Sequence, residues 1–160
     1  MPTMTKAWPL LFALALAGCG GSGGTSFLEG SSGTIATTFS NASGFNGNTG
    51  ALNTYSTLDG SVNGNTITIL VATANRNLQT SFIAPSTSAG TSVDLSGSTG
   101  SLVVYSDTNG TWEATSGTVT VTTHSATTVV LQFTNVVLSN SSGGGTGSVT
   151  LSGTVSFVSA

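Results

Sequence analysis

The chain has 160 residues, enough for one domain, and only 4% of them are charged, against about 25% in an average globular protein. Ser and Thr make up roughly a third of the chain, which favours β-strands over exposed helices because β-branched residues fit a pleated surface. The net charge is −3 and the only Lys and Arg residues are Lys6 and Arg76, which excludes nucleic acid as a partner, since phosphate binding needs clustered cations.

The amino terminus has the pattern of a secretory signal peptide. Lys6 is followed by an apolar stretch over residues 7–17. This stretch is too short for a transmembrane helix, which needs about 20 residues, but it suits the apolar core of a signal peptide, which takes about 7 to 15. We expect residues 1–18 to be a helical signal peptide that is cleaved from the mature protein.

The sequence Leu16-Ala17-Gly18-Cys19 resembles the lipobox of bacterial lipoproteins, in which a branched apolar residue and two small residues precede a cysteine. The resemblance implies that the lipoprotein signal peptidase recognises the first three residues and cuts before Cys19. It also implies a diacylglyceryl thioether on Cys19 and an N-acyl chain such as palmitate. Several acyl chains hold a protein firmly to a membrane, because each buried CH₂ contributes about 0.8 kcal/mol. The alternative is an ordinary secretory signal with a chance cysteine.

Other features of the mature amino terminus refine this expectation. Gly20, where inner-membrane lipoproteins carry Asp, implies the outer membrane, on its periplasmic or surface face. Residues 19–33, with the lipidated cysteine and many Gly and Ser residues, are predicted to be a flexible tether. Cys19 is the only cysteine, so no intrachain disulfide is expected. Residues 34–160 are predicted to form a single all-β domain.

Alternating apolar residues predict the strands of this domain. Residues 66–73 place Ile67, Ile69 and Val71 on one face, and residues 117–123 and 147–158 alternate in the same way. In residues 127–138 the alternation changes phase, which predicts a β-bulge near Thr134-Asn135. Weaker strand patterns occur in residues 34–39, 51–58, 78–83, 91–95, 102–107 and 111–114.

Turn residues separate these strands. Asn63-Gly64 and Asn109-Gly110 predict tight hairpins with positive φ angles, and Asp59-Gly60 predicts a further reversal. Short strands with frequent turns predict an antiparallel β-sandwich, with a small closed β-barrel as the alternative. The phrase Ser-Gly-Thr-Val occurs at residues 116–119 and 152–155. Without a fixed repeat period, each copy is interpreted as the opening of a strand after a turn.

The region from Trp112 to Phe157 resembles small all-β lipoprotein domains of unknown function, a resemblance that implies no functional residue. No catalytic constellation is evident in the sequence. His124, the only histidine, lies in a predicted loop and no Gly-x-Ser-x-Gly motif is present. The segment from Asp107 to Glu113 offers too few oxygen ligands for calcium, which prefers six to eight. We therefore predict no enzyme activity, no metal and no cofactor apart from the lipid.

The function expected from sequence is a lipid-anchored envelope protein with a non-catalytic β-domain, which has a structural role or binds an envelope protein. The alternative is a carbohydrate-binding or adhesive module. In that alternative, Trp112, Tyr55 and Tyr105 form an exposed platform that stacks on a sugar ring of a glycan.

Overall fold

The computed structural model describes residues 27–83, 86–97 and 100–159. Over these residues the chain forms ten strands and no helix. The strands are β1 (Phe27–Gly30), β2 (Ser32–Ser43), β3 (Thr57–Asn63), β4 (Thr66–Ala72), β5 (Arg76–Ile83), β6 (Ser92–Asp94), β7 (Leu102–Asp107), β8 (Thr111–His124), β9 (Thr128–Ser142) and β10 (Ser148–Val158). The prediction of an all-β, antiparallel fold is confirmed.

Nine of the strands follow one hydrogen-bonded path, in the order β1-β3-β4-β5-β7-β8-β9-β10-β2, and every pair of neighbours is antiparallel. β6 pairs with β8 beyond the short segment that pairs with β7. The sheet curls into a half-barrel whose edges approach each other. Thr37 of β2 exchanges two backbone hydrogen bonds with Leu52, of 3.1 and 3.2 Å. This curled architecture is compatible with both predicted alternatives, sandwich and barrel.

The core fills the inside of the curled sheet. The predicted inward residues of β4, Ile67, Ile69 and Val71, are buried, as are their counterparts in β8, β9 and β10. Gly60 of β3 faces Phe157 of β10 across the core, and a Cβ at this glycine would overlap the phenyl ring. Asp59-Gly60 therefore lies inside a strand, and the prediction of a turn there is wrong.

The predicted bulge in β9 is confirmed. Asn135 has a φ of 50°, and β9 has one residue more than β10 between the pairs Val136↔Leu151 and Phe133↔Gly153. Gly117 of β8 (φ 104°) and Gly153 of β10 (φ 130°) lie on either side of the bulge. An added Cβ at Gly117 would come within 2.5 Å of the Asn135 carbonyl oxygen. Glycine is needed at both positions because other residues rarely adopt such φ angles.

This geometry corrects the interpretation of the two Ser-Gly-Thr-Val phrases. Neither phrase opens a strand after a turn, because the first lies in the middle of β8 and the second in the middle of β10. The two phrases instead supply the glycines that accommodate the bulge in the strand between them. Residues 111–124 accordingly form one long strand, where the sequence pattern predicted two.

The boundary predicted between tether and domain is also wrong. β1 pairs with β3 in the register Phe27↔Asn63 to Gly30↔Gly60, and β2 begins at Ser32. Leu28 packs against the core, and the four residues of β1 pair with β3, so the segment belongs to the sheet. The segment between Cys19 and the first strand is therefore residues 20–26.

The pairing register defines two ends of the domain. The N-terminal end comprises Phe27, the β3–β4 turn, the β8–β9 turn and Val158. The opposite end, which we call the cleft end, comprises the β2–β3, β4–β5, β7–β8 and β9–β10 connections, residues 44–56, 73–75, 108–110 and 143–147.

Candidate functional site

The residues of the predicted lipobox, Leu16, Ala17, Gly18 and Cys19, lie outside the described residues. Lipidation and cleavage therefore remain predictions from the sequence. Within the described residues, no helix has the length and apolar character needed to cross a bilayer.

The three predicted platform aromatics are not exposed together. Trp112 and Tyr105 each have 0% exposed surface, and Tyr55 is half-buried. The Tyr55 hydroxyl bonds to the backbone of Gly33, at 3.0 and 3.2 Å, and so fastens the β2–β3 connection to β2. This burial corrects the sequence interpretation, because a ring enclosed by the core has no free face on which a sugar can stack.

Trp112 and Tyr105 instead belong to an aromatic cluster under the cleft end. Phe45 lies 4.5 Å from Trp112 and 6.3 Å from Tyr105 between ring centroids, and Phe39 lies 4.9 Å from Tyr105. These separations lie within the range of about 4.5 to 7 Å in which aromatic rings attract one another. The Trp112 Nε1 donates a hydrogen bond of 3.1 Å to the Thr146 carbonyl, so its one polar atom is satisfied.

Arg76 is the cation of this cluster and is only 8% exposed. Its guanidinium carbon lies 5.0 Å from the Phe39 ring centroid and 5.4 Å from that of Tyr105. Its Nε donates to the Tyr105 hydroxyl at 2.9 Å, and its terminal nitrogens donate to the carbonyls of Ala51 (3.3 Å) and Asn48 (3.4 Å). Arg76 thereby fastens the β2–β3 connection over the aromatic rings.

The Tyr105 hydroxyl joins the two charged groups of the site. It accepts a hydrogen bond from Arg76 and lies 3.1 Å from Asp107 Oδ2, to which it donates. Burial raises the pKa of Tyr105 to about 12, although the hydrogen bond and positive charge of Arg76 act in the opposite direction. Asp107 also accepts backbone hydrogen bonds from Asn48 (2.7 Å) and Asn109 (2.8 Å).

Asn46 links three of the four connections at this end. Its Nδ2 donates to the Gly144 carbonyl (3.0 Å), its Oδ1 accepts from the Thr146 amide (2.8 Å), and its carbonyl accepts from Asn109 Nδ2 (2.8 Å). The β2–β3, β7–β8 and β9–β10 connections are therefore cross-linked by one side chain and one carbonyl.

A cleft of about 380 Å³ opens at this end of the domain. Its lining is polar and comes from the β2–β3, β4–β5 and β7–β8 connections and the adjoining strand ends: Gly47, Asn48, Asn75, Arg76, Asp107, Thr108 and Asn109. The aromatic cluster lies directly below, since a Cβ at Gly47 would come within 2.8 Å of the Trp112 ring. The positive charge of Arg76 and the negative charge of Asp107 give the lining a net formal charge of zero.

The remaining candidates from the sequence lie apart from one another. His124 ends β8 at the N-terminal end, where its Nδ1 donates to the Thr87 carbonyl at 2.8 Å, whereas Asp107 lies at the cleft end. The Asp107 carboxylate oxygens accept hydrogen bonds from N–H and O–H groups of the protein. They are therefore not arranged as ligands of a cation. Among the described residues, no group of three His, Cys, Asp or Glu side chains is arranged to hold a metal ion.

Comparison of the chain with protein-family models, with curated proteins and with solved structures finds no match. Its function is therefore inferred from its own residues and geometry. Sequence reasoning did not select Arg76 or Asn48 as site residues. For Arg76 a signal was available, since it is one of only two Lys or Arg residues in the chain; Asn48 lies in a polar stretch where nothing distinguishes it.

Proposed function

We propose that this protein is a bacterial envelope lipoprotein whose β-domain binds a partner and carries out no catalysis. The observation that carries the proposal is the sequence Leu16-Ala17-Gly18-Cys19 after an apolar stretch of signal-peptide length. In this proposal the chain is cut before Cys19, which receives diacylglycerol and an N-acyl chain. These lipids hold the domain at the outer membrane.

The topology of the domain supports an orientation relative to the membrane. Residues 20–26 separate Cys19 from Phe27, the first residue of β1 at the N-terminal end. Even a fully extended chain of this length spans at most about 30 Å. In this proposal the N-terminal end stays within that distance of the lipid surface, and the cleft end, on the far side of the domain, points away from it.

The position of the titratable groups supports a non-catalytic role. A Ser-His-Asp site requires a carboxylate that orients the histidine. His124 donates through Nδ1 to a backbone carbonyl, and Asp107 lies at the other end of the domain. The cleft contains no histidine and no cysteine, and its one carboxylate accepts three hydrogen bonds from the protein itself. A cleft that faces away from the membrane is then a surface for binding.

Mass spectrometry of membrane fractions tests the anchor. After expression in a Gram-negative bacterium, the wild-type protein is expected to begin at Cys19 and to carry the mass of a diacylglyceryl group and an acyl chain. The variant Cys19→Ala should lack both lipids, whereas a Ser22→Ala control should be processed normally. A mature protein with an unmodified Cys19 thiol, or one that begins at another residue, contradicts the proposal.

The orientation has its own test in vesicles that contain a lipid-bound quencher. Because Cys19 is lipidated, a fluorophore can be attached to a single new cysteine, in Asn63→Cys at the N-terminal end or Asn75→Cys at the cleft end. The label at residue 63 should be quenched more strongly than the label at residue 75. Equal quenching, or the reverse order, contradicts the orientation.

A further inference from the structure

We infer that the cleft binds a neutral saccharide of one or two rings, through hydrogen bonds from its polar lining and without aromatic stacking. This inference names a ligand for the end of the domain that the proposed function turns away from the membrane. It depends only on the cleft, so its test and that of the lipid anchor have independent outcomes.

The charge of the cleft favours an uncharged ligand. The guanidinium of Arg76 and the carboxylate of Asp107 cancel, and the Tyr105 hydroxyl bonds to both. An anionic ligand would face the Asp107 carboxylate, and a cationic ligand would face the guanidinium. Either ligand would lose hydration without gaining an uncompensated opposite charge.

The hydrogen-bonding groups of the lining include both donors and acceptors. Arg76 has five N–H groups, and its protein partners account for three of them. Asn48 uses its Oδ1 to accept from Gly50, which leaves Nδ2 as a donor. Asn109 uses its Nδ2 to donate to Asn46, which leaves Oδ1 as an acceptor. Asn75 adds an exposed amide to the wall.

Sugar hydroxyls match this mixture because each one both donates and accepts. A carboxylate or phosphate would meet the Asn109 Oδ1, an acceptor, without supplying a donor to it. An ammonium only donates, and would leave Asn48 Nδ2 and the two remaining N–H groups of Arg76 without acceptors. Buried polar groups without partners weaken binding, so the mixed lining selects for a polyhydroxylated neutral ligand.

The size and stiffness of the site are consistent with such a ligand. The volume of about 380 Å³ lies at the lower end of the range of about 300 to 1,000 Å³ found for small-molecule sites. The walls are held before binding, since Asn46 links the surrounding connections and Arg76 fastens the β2–β3 connection. A pre-organised site loses less conformational entropy when a ligand binds.

Fluorescence of Trp112 provides the experiment. It is the only tryptophan that remains after residues 1–18 are removed, and its ring lies so near Gly47 of the cleft lining that a Cβ added there would come within 2.8 Å of it. The purified mature protein, with or without lipid, is titrated in a zwitterionic detergent without a sugar headgroup, with glucose, galactose, N-acetylglucosamine and their disaccharides up to about 50 mM. Acetate and phosphate are titrated in parallel. We expect a saturable change with at least one neutral saccharide and none with either anion.

Variants of the lining separate binding in the cleft from binding elsewhere. The double variant Asn75→Ala/Thr108→Ala removes two exposed side chains of the wall and should weaken binding about tenfold or more. Asn77→Ala, an exposed asparagine outside the cleft lining on the same strand as Arg76, is the matched control and should bind as the wild type does. Unchanged circular dichroism establishes that each variant is folded.

Three results would overturn the inference. The first is the absence of a saturable signal with every neutral saccharide. The second is saturable binding of acetate or phosphate in place of the sugars. The third is sugar binding that the double variant and the Asn77→Ala control retain equally, because the ligand would then occupy another surface.

Discussion

The two ends of this domain are held together in different ways. At the cleft end, side chains of Asn46, Arg76 and Trp112 bond to the backbone of residues 25 to 100 positions away in sequence. At the N-terminal end, the β8–β9 turn is held by Ser125, which bonds to residues two or three positions away. Longer links there join His124 to Thr87, Ser101 to Ile83 and, between neighbouring strands, Ser156 to Thr34.

This difference indicates at which end the loops are held in a constant arrangement before any ligand binds. Local turn bonds define one loop at a time, whereas bonds between distant connections fix several loops relative to one another. A binding site needs walls from more than one loop in a constant arrangement. The cleft end meets that requirement, and the contrast predicts that side-chain substitutions cost more stability there than at the N-terminal end.

The largest effect is expected at Arg76. The variant Arg76→Met removes donors from the Tyr105 hydroxyl and from the carbonyls of Asn48 and Ala51, and leaves the Asp107 carboxylate without a compensating charge. We expect the free energy of unfolding to fall by about 3 kcal/mol, measured by urea denaturation. Arg76→Lys should not restore it, because an ammonium cannot reach three acceptors as the guanidinium fork does. A loss below about 1 kcal/mol in Arg76→Met would remove the distinction between the ends.

A second effect compares the same dipeptide at both ends. In Asn63-Gly64, Gly64 has the expected positive φ of 57°, and a Cβ added there would meet no atom within 4 Å. In Asn109-Gly110, Gly110 does not have a positive φ, so that prediction from the turn pattern is wrong, and its added Cβ would overlap the backbone of Gly145. The first glycine is needed for its conformation and the second for close packing of two connections.

Substitution of these glycines should therefore give different results. Gly110→Ala is expected to cost about 2 kcal/mol of unfolding free energy, because the two connections must separate. Gly64→Ala should cost about 1 kcal/mol, from the positive φ alone. Asparagine tolerates positive φ, so Gly64→Asn should recover part of that loss, whereas Gly110→Asn should be worse than Gly110→Ala. Equal responses at both positions would contradict this assignment.

The third effect depends on pH and belongs to the cleft end. The pKa of Tyr105 is about 12 in the folded protein, against 10.0 for an unperturbed tyrosine. Between these values the unfolded chain loses the proton and the folded protein keeps it, so the free energy of unfolding falls as pH rises from about 10 to about 12. We expect a fall of about 1 to 2 kcal/mol. Denaturation at a series of pH values measures it, and Tyr105→Phe should remove that part of the dependence.

The smallest effect is expected at His124. Its ring is half-buried at the N-terminal end and makes one bond, to the Thr87 carbonyl. His124→Ala should lower the free energy of unfolding by no more than about 1 kcal/mol and should leave saccharide titrations unchanged. A loss as large as that of Arg76→Met would show that the N-terminal end also depends on a single side chain.

Much of the fold was predictable from residue patterns. Period-two alternation identified β4, β10 and the second half of β8, because one face of each is buried. The change of phase in β9 identified the bulge at Asn135, since one extra residue shifts every later side chain to the opposite face. Such local patterns are visible without knowledge of neighbouring strands.

The candidate site was less predictable. Trp112 and Tyr105 are amphipathic, and the sequence does not specify whether such a ring stacks on a ligand or packs in a core. Arg76 lies 29 positions from Tyr105, and its carbonyl acceptors are in another connection. The cleft exists only because curling of the sheet brings these connections together at one end.

The sequence by itself determined the all-β class, the positions of most strands and the bulge in β9, because each depends on neighbours along the chain. The tertiary structure decided which glycines approach another backbone, that residues 27–30 join the sheet, and that the aromatic rings are buried beneath a polar cleft. These features depend on distances between strands far apart in sequence, and burial is a property of the surroundings that the folded chain creates.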